Sequence, residues 1–276
     1  MPDLPLYFST AACWLALSWL AWRASRPATV GAPAERTEVR VESFLVPAAL
    51  VLHAMLLYRR VVVPEGIDLG VANAISMLVW LTVLIYWVAG LAYDGLRGML
   101  GLMSPLALAA VLLQMAITSG HVVTYGGKPL FALHFAIAML AYSLFIVATV
   151  HALVMLAEEK WLHRGVLPPF LRRLPPLLEM EALLFRILLA AFILLTLTLV
   201  SGVFFSEQLF GKAFSASHKT VFAFISWFIF GGLLAGHYIR GWRGRTAVNW
   251  TLAGFTALLL AYVGSKVVLE LIMKRG

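Results

Sequence analysis

The stretch that decides the fold is FALHFAIAMLAYSLFIVATVHALVMLA, residues 131–157, which contains no Asp, Glu, Lys or Arg. A helix needs about 20 apolar residues to cross a bilayer core of about 30 Å, so this run is long enough to span a membrane. It lacks the period-two alternation of a strand, and in lipid only helices or closed barrels satisfy the backbone polar groups. The stretch therefore predicts a transmembrane helix.

Further apolar stretches of the same character lie on both sides of this one. They cover residues 5–22, 43–58, 70–92, 99–118, 183–205, 219–239 and 250–272. The connections between them leave no room for a separate soluble domain. We therefore predict an all-α, polytopic membrane helix bundle with eight transmembrane helices, which forms a single membrane domain over residues 1–276.

The composition of the whole chain agrees with a membrane protein. Hydrophobic residues make up 62% of the 276 residues and charged residues 12%, and the mean hydropathy is +0.92. Soluble domains carry about 25% charged residues, so that class is excluded. The single cysteine excludes a disulfide framework, a Cys-ligated metal cluster and a haem attached covalently through C-x-x-C-H.

The basic residues predict how the spans are oriented. The connections after spans 1, 3, 5 and 7 hold twelve Lys and Arg residues, whereas the opposite side holds seven. The positive-inside rule then places both termini outside, so the net charge of +8 reflects topology and not nucleic-acid binding. We expect the protein in a bacterial inner (plasma) membrane, with the lipid bilayer as its first partner.

The sequence contains none of the common catalytic or nucleotide-binding motifs. A Walker loop, a dinucleotide glycine fingerprint, a G-x-S-x-G elbow and an H-E-x-x-H helix are all missing. We therefore expect neither nucleotide nor nucleic-acid partners, and we do not expect an enzyme.

The histidines are the candidate functional residues. Neutral imidazole is a common axial ligand of haem iron. With the predicted topology, His134 and His218 each begin a span at the outer face, and His53 lies near the outer end of span 2. Two axial ligands must come from different helices at one level, which His134 and His218 satisfy.

Three stretches carry a resemblance to a known family. They are His134 to Tyr142; Leu197 to Glu207, continued by His218-Lys219-Thr220 and by Gly241-Trp242-Arg243-Gly244; and Asn73-Ala74-Ile75-Ser76 with Trp80, preceded by His53. In these stretches the chain resembles the membrane-bound cytochrome c assembly family, whose members handle haem at the outer face of the membrane. It looks closest to the short branch of YpjD-like and HemX-like proteins, with a family core at about residues 43–272.

The resemblance implies a haem-handling function. It makes His134 the best-supported ligand of the iron of a non-covalently bound haem b. We infer the role of His218 as the second ligand from its place near the end of the connection in which the family's tryptophan motif lies, and His53 is a third candidate from its position. Other cytochrome c assembly components are the expected protein partners. The chain departs from the family's haem-delivering members, because residues 204–218 lack their W-x-W-D motif.

Two readings from different classes follow from these observations. The first is a membrane protein that binds or handles haem and is linked to c-type cytochrome assembly. The second is a non-haem accessory or regulatory membrane protein of the same fold, which would assist tetrapyrrole synthesis or ion transport. The histidines at matched depth favour the first reading, and the missing tryptophan motif favours the second.

Overall fold

The structure is a computed structural model, and it describes residues 3–24, 34–93, 96–117, 122–123, 129–165, 168, 176–204, 206 and 218–261. Within this part of the chain the backbone is almost entirely helical. The helices are α1 (Leu4–Ala24), α2 (Ala34–Val61), α3 (Val71–Ala92), α4 (Arg97–Ala116), α5 (Pro129–Leu162), α6 (Leu177–Phe204), α7 (His218–Arg240) and α8 (Gly244–Leu259).

Short strands lie in two of the connections between helices. They are β1 (Val62–Val63), β2 (Gly66–Asp68) and β3 (Val122–Val123). The sequence pattern predicts no strands, and each of these is too short to produce a periodic signal. They lie between the predicted spans, where extended backbone is not in contact with the hydrocarbon of the lipid.

The all-α, polytopic architecture is confirmed. Seven described helices, α1 to α7, are long and apolar enough to cross a membrane. Helix α8 is described for 16 residues, and residues 262–276, which complete the predicted last span, lie outside the described part. Helix α5 is 34 residues long and continues past the predicted end of its span, because the charged run Glu158-Glu159-Lys160 extends the helix instead of ending it.

The chain divides into two compact units, and the first contains α1 to α4. In this unit each helix packs against the next one along the chain, and α4 also packs against α1. Small residues permit the α1–α4 contact, since a Cβ atom on Gly101 would lie 2.7 Å from the Cβ atom of Ala21. Such close approach of backbones is a common way for membrane helices to associate.

The second unit contains α5 to α8 and has the same order of helix neighbours. Helix α6 runs antiparallel to α7, as shown by stacking of Phe192 on Trp227 and of Phe185 on His237. Phe145 of α5 stacks on Phe230 of α7 with ring centroids 4.1 Å apart. Because α6 runs antiparallel to both neighbours, α5 and α7 run parallel to each other.

The turn between α7 and α8 is built around a buried glycine. Gly236 leaves the space that the ring of Trp242 occupies. The backbone N–H of Trp242 donates to the carbonyl of Gly236 at 3.2 Å, and Gly241 turns the chain with a positive φ of 68°. Glycine adopts this left-handed conformation without the steric cost of a Cβ atom.

Candidate functional site

His134 lies near the beginning of α5 and contacts the end of α6. Its Nδ1 atom is 2.7 Å from the hydroxyl oxygen of Ser201, and that hydroxyl is 3.1 Å from the carbonyl oxygen of Thr198. The His134 side chain is half-buried. The ring is therefore held by a neighbouring helix while part of it stays accessible.

The hydrogen bonds of Ser201 are compatible with a proton on Nδ1 of His134. When the Ser201 hydroxyl donates to the carbonyl of Thr198, its oxygen can accept the Nδ1–H of His134. In a neutral imidazole this arrangement places the lone pair on Nε2, as in metal-ligating histidines, which usually donate their other N–H to a fixed acceptor.

Gly202 of α6 lies beside the His134 ring. Among the described residues, a Cβ atom added to Gly202 would meet only the Cε1 atom of His134, at 3.6 Å. Cε1 is bonded to both ring nitrogens, so Gly202 lies next to the edge of the imidazole between Nδ1 and Nε2.

His218 is the first residue of α7, and its side chain is exposed. It lies twelve residues before Phe230, and His134 lies eleven residues before Phe145. With a helical rise of about 1.5 Å per residue, the two histidines are about 18 and 16 Å from the Phe145–Phe230 stack along parallel helices. They are therefore at nearly the same height, as the sequence predicts.

The two histidines differ in the direction in which they leave their helices. At about 100° per residue, His134 lies about 20° around α5 from Phe145, whereas His218 lies about 120° around α7 from Phe230. The stacked phenylalanines lie on the sides of α5 and α7 that face each other across the unit, in which both helices pack against α6 and α8. His134 is thus on the side of α5 that faces the interior of the unit, and the first turn of α7 would have to reorient for His218 to reach the same metal.

His53 is in the first unit, on α2, and its side chain is fully buried. Its Nε2 atom is 2.8 Å from the hydroxyl of Ser76 on α3, which donates to the side-chain carbonyl of Gln114 on α4 at 3.1 Å. Trp14 of α1 lies edge-on to the His53 ring, with centroids 6.1 Å apart. All four helices of this unit thus contribute a side chain to one buried cluster. We call this cluster the His53 network, and it consists of Trp14, His53, Asn73, Ser76 and Gln114.

Asn73 determines which groups donate and which accept in the His53 network. The side-chain N–H₂ group of Asn73 donates to two backbone carbonyls, those of Arg60 and Asp68, at 3.3 and 3.2 Å. The Asn73 oxygen therefore faces Gln114 and accepts from its N–H₂ group at 2.9 Å. The Gln114 oxygen is then left to accept from Ser76, as the structure shows.

This order of donors fixes the protonation of His53. Because the Ser76 hydroxyl donates to Gln114, its oxygen accepts the Nε2–H of His53. The lone pair of the neutral ring is then on Nδ1, which has no hydrogen-bond partner among the described residues. Trp14 Nε1, a donor, is likewise buried without a partner in this part of the chain.

His134 and His218 belong to the second unit and His53 to the first. Sequence reasoning missed Ser201 and Gln114 as partners, although Ser201 lies in a stretch that carries the family resemblance. Among the described residues there is also no group of three or more His, Cys, Asp or Glu side chains that could hold a metal ion.

Comparison with protein families gives one match that covers most of the chain. The family model described as "Cytochrome C assembly protein" matches residues 43–273. This range includes α3 to α8 and all three candidate histidines.

Comparison with individual proteins gives relatives that match most of the chain and relatives that match about a third of it. Inner membrane protein YpjD of Escherichia coli K12 is 32% identical over 231 residues, which are 81% of this chain and 84% of the relative. An uncharacterized 28.8 kDa protein of Azospirillum brasilense is 30% identical over 208 residues, 73% of this chain and 77% of the relative. Cytochrome c biogenesis protein CcsA of Prochlorococcus marinus MIT 9515 is 35% identical over 86 residues, 31% of this chain and 28% of the relative.

Proposed function

We propose a haem-handling role for this chain, which belongs to the cytochrome C assembly protein family. The resemblance found in the sequence is thereby confirmed. So is the localisation, because the chain is a multi-pass protein of the bacterial inner membrane. The proposal is that it binds haem b non-covalently and acts in c-type cytochrome assembly together with other assembly components.

The observation that carries this proposal is the setting of His134. The hydroxyl of Ser201 on a neighbouring helix is 2.7 Å from its Nδ1 atom and can accept the Nδ1–H, which leaves the lone pair on Nε2, and the adjoining Gly202 has no side chain. This is the donor chemistry that a haem ligand requires. Haem would supply a redox-active iron, and the residues of this chain would hold and orient it.

His218 is the proposed second ligand. It is exposed, it lies within about 2 Å of the height of His134, and it is in the first turn of its helix. Because the two side chains leave their helices in different directions, we propose that haem binding reorients the first turn of α7.

His53 is the proposed third contact, and its surroundings set a condition on that role. Ser76 occupies its Nε2 atom and the side chain is fully buried. A cofactor would have to approach Nδ1, which is itself buried. In the haem-free chain the His53 network stabilises the packing of α1 to α4.

The remaining expectations on architecture are also part of the proposal. The eighth span, the outside location of both termini and a single membrane domain over residues 1–276 rest on the hydropathy pattern and on the excess of basic residues in alternate connections. The absence of catalytic motifs supports a role in binding haem and not in catalysis.

Substitution of His134 tests the proposed function. We expect the full-length protein, purified in detergent from haem-replete cells, to show a Soret band that is lost or strongly shifted in His134→Ala. His218→Ala should convert a six-coordinate spectrum to a five-coordinate one. His163→Ala is the matched control, because His163 is exposed and donates only to the carbonyl of Glu159 in its own helix.

A wild-type protein that carries no haem and gives no ligand-dependent spectrum with added haemin would remove the proposal. That outcome would favour the second candidate, a non-haem accessory protein of tetrapyrrole synthesis or ion transport. The observation behind that candidate is the sequence of residues 204–218, which lacks the W-x-W-D motif of the family's haem-delivering members.

The space beside His134 gives a second test of the same site. Gly202→Ala should bind haemin with nearly the wild-type affinity, because its Cβ atom would be in ordinary contact with His134. Gly202→Leu should fill the space and lower the affinity by at least about tenfold, the loss that a difference of 1.4 kcal/mol produces. Haemin titration monitored at the Soret band measures both, and equal affinities of the two variants would contradict haem binding on this side of the ring.

A further inference from the structure

We propose that Ser201 is a positioning residue, which fixes the tautomer and the orientation of His134 for iron binding. This inference rests on the proposed function, because it concerns the same histidine. It goes further by assigning a role to a hydroxyl group that does not itself contact haem. Nothing in the sequence pattern distinguishes Ser201 from the other serines and threonines of the predicted spans.

The first argument is the geometry of the two hydrogen bonds at Ser201. The hydroxyl donates to the carbonyl of Thr198, three residues earlier in α6, at 3.1 Å. The oxygen atom is 2.7 Å from His134 Nδ1. When His134 binds iron through Nε2, its Nδ1 atom must carry the proton. The Ser201 oxygen can accept that proton because the hydroxyl can donate to its own helix, and this favours the Nδ1–H tautomer.

The second argument is that the partner lies on a different helix. The N–H of His163 is donated to a carbonyl in the same helix, which leaves that ring free to follow α5 alone. His134 is instead tied to the last turn of α6. The direction of its Nε2 atom is therefore set relative to both α5 and α6, the helices that would border a bound haem in this unit.

The third argument is a contrast with His53. That ring also meets a serine, Ser76, but through Nε2, so its lone pair is on Nδ1 inside a closed cluster. At His134 the serine meets Nδ1, so the nitrogen left to bind a ligand is Nε2. Two serines thus prepare two histidines in opposite ways, one for the interior of the first unit and one for a ligand.

The experiment compares Ser201→Ala with the full-length wild type. Outer hydrogen-bond partners of metal-ligating histidines typically contribute about 10–100-fold to affinity, so Ser201→Ala should bind haemin about 10–100-fold more weakly. Loss of the Nδ1–H acceptor makes the imidazole a poorer donor to ferric iron, so the midpoint potential of the residual complex should rise. Ser201→Thr keeps the hydroxyl and should restore both values.

Ser9→Ala is the matched control. Its hydroxyl also donates to the carbonyl three residues earlier, that of Leu6, at 3.1 Å, but it is exposed and lies in α1 of the first unit. We expect its haemin affinity and midpoint potential to equal those of the wild type. A readout without haem is the ¹⁵N spectrum of ring-labelled histidine, assigned with His134→Ala, in which Ser201→Ala should lose the predominance of the Nδ1–H form.

The outcomes separate this inference from the proposed function. If the wild type binds haem through His134 and Ser201→Ala matches it in affinity, potential and tautomer, the positioning role is overturned and the haem site stands. If the wild type binds no haem but Ser201→Ala changes the tautomer, the positioning role is supported and the haem site is removed. If neither haem binding nor a change of tautomer is seen, both are overturned.

Discussion

Replacement of Gln114 by leucine is expected to lower the free energy of unfolding by about 2–6 kcal/mol. The change leaves the Ser76 hydroxyl without its acceptor and the Asn73 side-chain oxygen without its donor, both in a buried cluster. Each buried polar group left unsatisfied costs about 1–3 kcal/mol. Leucine is close to glutamine in size, so the loss reports hydrogen bonding and not a cavity.

Unfolding in detergent, followed by circular dichroism against a denaturant, measures this effect. Ser104→Ala is the matched control on the same helix. Its buried hydroxyl donates to the carbonyl of Gly101, and its one other partner among the described residues is the hydroxyl of Ser18. It should cost about 1 kcal/mol or less. A double-mutant cycle of Gln114→Leu with Ser76→Ala should give coupling of about 0.5–1.5 kcal/mol. A loss no larger than that of the Ser104 control would contradict the hydrogen-bond order assigned here.

Replacement of Gly236 by alanine is expected to lower the free energy of unfolding by about 1–3 kcal/mol, the usual cost of an added methyl group in a filled core. The new Cβ atom would overlap the ring of Trp242. Displacing that ring would cost free energy, because two hydrogen bonds hold the Trp242 backbone in place. The Trp242 N–H donates to the Gly236 carbonyl, and the Trp242 carbonyl accepts the Nδ1–H of His237 at 2.9 Å.

Gly202→Ala is the control for this second substitution. It is the same change within a helix, and its Cβ atom would make only an ordinary contact. Thermal unfolding in detergent, with near-ultraviolet circular dichroism to report the environment of Trp242, compares the two. We expect a lower Tm and a changed aromatic signal for Gly236→Ala alone, and a Tm equal to that of Gly202→Ala would refute the packing role of Gly236.

The all-helical, membrane-spanning character of the chain could be predicted from the sequence, because the length and apolarity of a transmembrane helix are local properties. The ends of the helices could not. Helix α6 begins at Leu177, six residues before the predicted span, and α5 continues to Leu162. Charged residues such as Glu158 and Glu179 end an apolar run but do not end a helix. Composition defines the part of a helix that suits lipid, whereas caps and contacts decide where the helix stops.

The candidate site could be predicted in part for the same reason. The level of His134 and His218 follows from their positions at the beginnings of two spans. The partners Ser201 and Gln114 lie 67 and 38 residues from the groups they bond, and no periodicity links such distant positions. The Gly232 and Gly236 pair looks like a site of close helix approach, yet both glycines accommodate tryptophan rings, those of Trp250 and Trp242.

The ordered donors of the His53 network have a consequence for how α2, α3 and α4 can move. In a bilayer, helices that contact each other only through apolar faces could slide past each other at little cost in free energy, because lipid acyl chains are as apolar as the side chains. A shift of one residue between α3 and α4 would separate Ser76 and Asn73 from Gln114 together. The network therefore opposes sliding of α2, α3 and α4 along one another and sets their relative height in the membrane. Tilting, or translation of the three helices together, would leave these hydrogen bonds intact.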